Sequence, residues 1–70
     1  MKVNKLKGKI VENGMSYPQF AEKIGMNYST LLRKFKVPER ITVGDAAKMK
    51  VALNLSSEEA SEIFFDAEVA

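Results

Sequence analysis

Seventy residues hold one small domain, and with no cysteine and no histidine there is no disulfide framework, no thiolate metal site and no imidazole for general-base work. The net charge of +2 hides an asymmetry: residues 1–50 carry all eleven Lys/Arg against four acids, a net of +7, while residues 51–70 carry five acids and no base, which predicts a polyanionic partner for the first part. No apolar run approaches the roughly 20 residues of a membrane span, and the start MKVNKLKGKIVENG lacks the apolar core and cleavage site of a signal peptide, so a reduced, cytoplasmic domain is expected.

Apolar residues recur at helical spacing nearly throughout, and no convincing stretch alternates with period two. The first segment, about residues 2–13, sets Val3, Leu6 and Ile10 at i, i+3 and i+7 and stops at Gly14 in a left-handed conformation. Gly8 inside it costs about 1 kcal/mol of helix propensity against alanine and is read as a point of close backbone approach. The second segment opens MSYPQF, with Ser16 as N-cap, Gln19 completing a capping box, Met15 and Phe20 as a hydrophobic staple, and Pro18 in the first turn. Phe20, Ala21 and Ile24 face inward, and Gly25 ends the helix. The third starts at Asn27, with Met26 and Leu31 as a second staple, Leu31 and Phe35 inward, and Pro38 forcing an end near Lys36. The fourth, from ITVGD, has Thr42 as cap, Asp45 near the positive end of the dipole, and Ala46, Met49 and Leu53 as its buried stripe. The fifth, from SSEEA, pairs Ser56 with Glu59 in a capping box and buries Ala60, Ile63 and Phe64. The prediction is an all-α, five-helix domain over residues 1–66 with a frayed acidic tail at 67–70.

The link Gly25-Met26-Asn27 is short for two helices lying side by side. A glycine turn of this length suits a wide crossing, the helix-turn-helix, and Ala21 is small enough to let the pair approach closely. With Leu31 and Phe35 inward, Tyr28, Ser29, Leu32, Arg33 and Lys36 face outward and Lys34 lies on the flank. A helix of about ten residues spans roughly 15 Å and fits a major groove about 12 Å wide. Tyr28 and Ser29 stand at its N-terminus, where such helices meet base edges. Arg33, one turn on, has the fork that pairs with guanine O6 and N7.

The stretch SYPQFAEKIGMNYSTLLRKF resembles the helix-turn-helix of the lambda-repressor-like (Cro/repressor, or Xre) transcriptional regulators: Ser16 as cap, Phe20-Ala21, Ile24-Gly25, and STL entering the second helix. ITVGDAAKMKVALNLSSEE is similar to the fourth and fifth helices of compact phage and prophage members, so the resemblance spans roughly residues 3–65. It implies a lambda-repressor-like fold and a regulator, a repressor by expectation, that holds a pseudo-palindromic operator as a homodimer. Residues 28–36 would be the recognition helix. Base contacts would fall on Tyr28, Ser29, Leu32 and Arg33, and phosphate contacts on Tyr17, Gln19, Asn27, Thr30, Lys34, Lys36 and Arg40, with Lys5 and Lys7 of the first helix beside them. The chain departs from the family pattern at Tyr17, where many members carry a polar residue such as glutamine. It departs again at Val37-Pro38, where many have glycine, and at Leu32, commonly polar.

The partner expected is double-stranded DNA, with no membrane, small-molecule ligand or cofactor. No metal is expected either, since first-turn dipole effects account for two of Glu58, Glu59 and Glu62, and no catalytic residues are assigned. The rival reading is a module that binds a protein partner through the EIFFD end without DNA. Phe65 belongs to the core or to an interface, and the sequence does not choose between them.

Overall fold

Short polar side chains decide where every α-helix after the first begins, because each can take up a backbone N–H that has no intrahelical partner. In a computed structural model, which describes residues 1–65, the order is α1 (Val3–Glu12), α2 (Tyr17–Lys23), α3 (Tyr28–Lys36), a 3-10 turn (Pro38–Arg40), α4 (Val43–Ala52) and α5 (Ser57–Ala60), which runs on as a π-helical turn (Ser61–Phe65). There is no β-strand among the described residues. The expected frayed tail, residues 67–70, lies outside them. Three complete capping boxes open α2, α4 and α5: Ser16 with Gln19, Thr42 with Asp45, and Ser56 with Glu59. In α3, Asn27 caps by accepting the Ser29 N–H at 3.0 Å.

Three of the helices, α1, α2 and α4, end by a shared device. After α2, the Gly25 N–H donates to the Glu22 carbonyl at 3.0 Å and the Met26 N–H to the Ala21 carbonyl at 2.8 Å, with Gly25 at φ +70°. This pair of bonds around a left-handed residue is the Schellman motif. Gly14, at φ +73°, repeats it after α1, its N–H reaching Val11 and that of Met15 reaching Ile10. After α4 the left-handed residue is Asn54, at φ 53°, with the same two bonds running to Val51 and Lys50. The sequence reading anticipated the two glycines and passed over the asparagine.

Every helix contributes to one core. Leu6 and Ile10 of α1, Phe20 and Ala21 of α2, Leu31 and Phe35 of α3, Met49 of α4 and Ala60 of α5 are all buried, with Ile24, Leu53, Leu55 and Ile63 from the connections and the last turn. Each large apolar side chain fully withdrawn from water contributes about 1.5–3 kcal/mol. Phe64 is only partly buried against this cluster, and Phe65 remains 60% exposed.

Two expectations are corrected. Gly8 marks no close approach, since a Cβ built there meets nothing within 4 Å. The fifth helix is not regular to its end: four α residues give way to the π turn, and the Ile63 carbonyl accepts the Lys2 N–H at 2.8 Å. That bond joins the start of α1 to the end of the described chain. Beside it, Lys5 pairs with Glu62 at 2.7 Å and Lys9 with Glu59 at 2.8 Å. Glu59 and Glu62, two acids of the C-terminal part, are thus folded onto the lysines of α1.

Candidate nucleic-acid interface

The Schellman turn at Gly25 and the cap at Asn27 fix where α3 starts, and the burial of Leu31 and Phe35 fixes its rotation. Given that rotation, residues 29, 33 and 36, spaced four and three apart, share the opposite side. Ser29, Arg33 and Lys36 are all exposed. Neither Arg33 nor Lys36 has an ion-pair partner among the described residues, and α3 contains no acidic residue. Cations in the last turn also suit the negative end of the helix dipole, so this arrangement favours the helix itself.

The other expected site residues fall into distinct settings. Tyr28, 43% exposed, flanks the head of the line. Leu32 is half-buried and packs against the core, and Thr30 is half-buried beside it. At the far end of α3, Phe35 and Tyr17 form a T-shaped pair with ring centroids 5.5 Å apart, and the Lys7 ammonium lies 5.4 Å from the Phe35 centroid. This stacking holds Lys7 of α1 and Tyr17 of α2 against the basic end of α3. Gln19 is exposed, and its Oε1 is committed to the Ser16 N–H at 2.8 Å, which leaves its amide hydrogens outward. Arg40 is exposed after the Pro38 turn.

Two expected phosphate ligands are engaged within the fold. Lys34 donates to Asp45 at 2.5 Å and to the Arg40 carbonyl at 3.3 Å, tying α3 to the cap of α4. Burial opposes the Asp45 charge, but Lys34 and the Thr42 N–H outweigh it and hold its pKa below the ordinary carboxylate value. Lys5 is drawn to Glu62, whose pKa is lowered chiefly by that hydrogen bond. Glu59, bonded to Lys9 and to the Ser56 N–H, falls further, to about 2.

Sequence reading did not single out Lys23 and Lys48, which flank a shallow groove of about 630 Å³ lined also by Ile24, Gly25, Ala47 and Val51. Their place becomes visible only once α2 and α4 are packed together. Among the described residues no three potential metal ligands converge, and no helix is long and apolar enough to cross a membrane. Searches against protein-family models, curated proteins and solved structures gave no match.

Proposed function

We propose that this chain is a sequence-specific DNA-binding transcriptional regulator of the lambda-repressor-like type, with α2 and α3 acting as a helix-turn-helix and α3 lying in the major groove. The observation that carries the reading is the outward line Ser29, Arg33, Lys36, unpaired by any acid among the described residues and turned outward by the burial of Leu31 and Phe35. Nine residues span roughly 13.5 Å, a length that suits the groove. The pairing pattern supports the same conclusion. Asp45, Glu59 and Glu62 are held by Lys34, Lys9 and Lys5, away from that line.

In this reading Arg33 pairs with guanine, Tyr28 and Ser29 meet bases nearer the helix start, and Leu32 contributes mainly packing. Lys36, Arg40, Lys7, Tyr17, Gln19, Thr30 and Asn27 supply the contacts to the phosphate backbone. Lys5 and Lys34, engaged with carboxylates, are not assigned to phosphate. One recognition helix covers few base pairs, so two copies about 34 Å apart on one DNA face complete the operator. The exposed Phe65 is the surface assigned to that dimer. Repression follows when the occupied operator excludes polymerase.

The test is a titration of labelled duplex DNA across salt. With about three or four cationic phosphate contacts per protomer, log K should fall against log salt with a slope of roughly −3 to −4 for each protomer bound. Absence of binding in low salt refutes the proposal, and salt-independent binding refutes its phosphate component.

A further inference from the structure

This inference rests on the DNA reading above and concerns which bases it selects. The Ser29 N–H and the Ser29 Oγ both meet Asn27 Oδ1, at 3.0 and 2.8 Å. A backbone N–H can only donate, so the Asn27 amide must turn its oxygen, not its nitrogen, toward Ser29. Facing that same oxygen, the Ser29 hydroxyl must donate too. Its single hydrogen is then committed, and only lone pairs remain for a ligand. Asn27 is left in the complementary state: its oxygen accepts twice, and the two hydrogens on Nδ2 have no partner among the described residues. Both residues are exposed, and Ser29 heads the outward line of α3.

We propose that Ser29 reads an exocyclic amino group, adenine N6 or cytosine N4, on the major-groove edge, and that Asn27 sets this choice by holding the hydroxyl hydrogen. A serine with a free hydroxyl can donate or accept and so tolerates any base. In the major groove guanine offers only the acceptors N7 and O6, and thymine only O4. Toward those the Ser29 oxygen would present lone pair to lone pair. Adenine and cytosine each offer an N–H donor. Asn27 is therefore a positioning residue for specificity, acting through Ser29, and its free amide hydrogens point to an acceptor alongside, a phosphate oxygen or a base edge.

The experiment selects bound duplexes from a random library with the full chain, in wild-type, Ser29→Ala, Asn27→Gly and Asn27→Asp forms. Wild type should require adenine or cytosine at one position of the site, and Ser29→Ala should lose that preference alone. Asn27→Gly keeps most of the helix cap but frees the hydroxyl, so guanine and thymine should now appear there. Asn27→Asp keeps the accepting oxygen, so the preference should survive even if overall affinity falls. Removing the amino group from the selected base, with purine for adenine or 2-pyrimidinone for cytosine, should weaken wild type roughly three- to tenfold, the range for one neutral hydrogen bond. The same change should leave Ser29→Ala unaffected, and the analogue that responds identifies the base. Guanine or thymine at the position that Ser29→Ala relaxes overturns the inference, as does full wild-type affinity for the amino-deleted base. Loss of the preference in Asn27→Asp removes Asn27 from the mechanism. A wild type that binds DNA with no position sensitive to Ser29→Ala overturns this inference alone, whereas one that binds no DNA overturns the functional reading with it.

Discussion

Alanine introduced at Gly8 and at Gly25 should change stability in opposite directions, although a new Cβ meets nothing within 4 Å at either site. With packing removed from the comparison, backbone conformation alone decides the sign. Gly8 lies inside α1 without a positive φ, so alanine there should stabilise by about 1 kcal/mol. Gly25 stands at φ +70°, where a residue with a Cβ carries a penalty of about 1–2 kcal/mol. β-Branched valine should cost up to about 3 kcal/mol. Asparagine should cost least, because Asn54 already closes α4 with the same two hydrogen bonds at φ 53°. At 4–8 °C per kcal/mol for a domain of this size, a gap of about 2–3 kcal/mol should set the melting points of the two alanine variants roughly 8–24 °C apart. Thermal and urea unfolding followed by circular dichroism measures this directly. The Gly25 variants should weaken DNA binding only as far as they unfold or displace α3. Alanine changes of the same sign at both sites, or Gly25→Asn as damaging as Gly25→Val, would refute the reasoning.

The ion pairs between α1 and α5 set a pH response. The Glu59 pKa lies at about 2 in the fold against an ordinary 4.5, so its contribution is complete above 4.5 and is lost as pH falls toward 2. The raised pKa of Lys9 puts the loss from the other partner above 10.5 as pH rises. Melting curves across pH should therefore decline less steeply below pH 4.5 in Glu59→Gln than in wild type, and identical slopes would show that the pair contributes nothing. Phe65, 60% exposed, borders a groove of about 390 Å³ in which Met1, Ile41, Val43 and Phe64 alternate with the polar Glu39 and Thr42. Phe65→Asp should give a folded monomer with weakened operator binding, and a wild type that sediments as a monomer even on operator DNA would contradict the assigned dimer surface.

What the sequence disclosed was local. Ser16 with Gln19, Thr42 with Asp45 and Ser56 with Glu59 announce helix starts because cap and partner are three residues apart. Gly14 and Gly25 announce stops because few residues other than glycine accept a left-handed backbone readily. Asn54 does the same work less visibly, since asparagine is common in loops of every kind, yet its place directly after the buried Leu53, the residue that follows α4, was a usable signal. Gly8 misled because a glycine in a helix can be tolerated without any contact that requires it. The π turn at 61–65 was not legible: the Lys2 N–H that donates to its Ile63 carbonyl lies some sixty residues away. The same distance hid the fates of Lys5 and Lys34. Their positive charge was plain, but Glu62 and Asp45 reach them only through the packing of α1 on the last turn and of α3 on α4. The outward line Ser29, Arg33 and Lys36 was readable because periodicity fixes what points away once Leu31 and Phe35 point in. Leu32, expected outward, is instead partly buried against the core, because an apolar side chain beside Leu31 gains by leaning onto it. The hydrogen-bond polarity of Ser29 was not readable, because it depends on which way one amide is turned.

The central claim is that the exposed face of α3 reads bases, and Arg33 tests it most directly. The residue is exposed and unpaired among the described residues, and alanine suits a helix surface, so Arg33→Ala should leave the fold intact. Wild type and variant are titrated with a selected duplex and with the same bases scrambled, at several salt concentrations. The account predicts a loss of about 1–3 kcal/mol on the selected duplex, with relaxed preference at one base pair per half-site and a much smaller loss on scrambled DNA. A loss by the same factor on both duplexes would contradict it, leaving Arg33 as an anchor to phosphate and α3 without its reading residue.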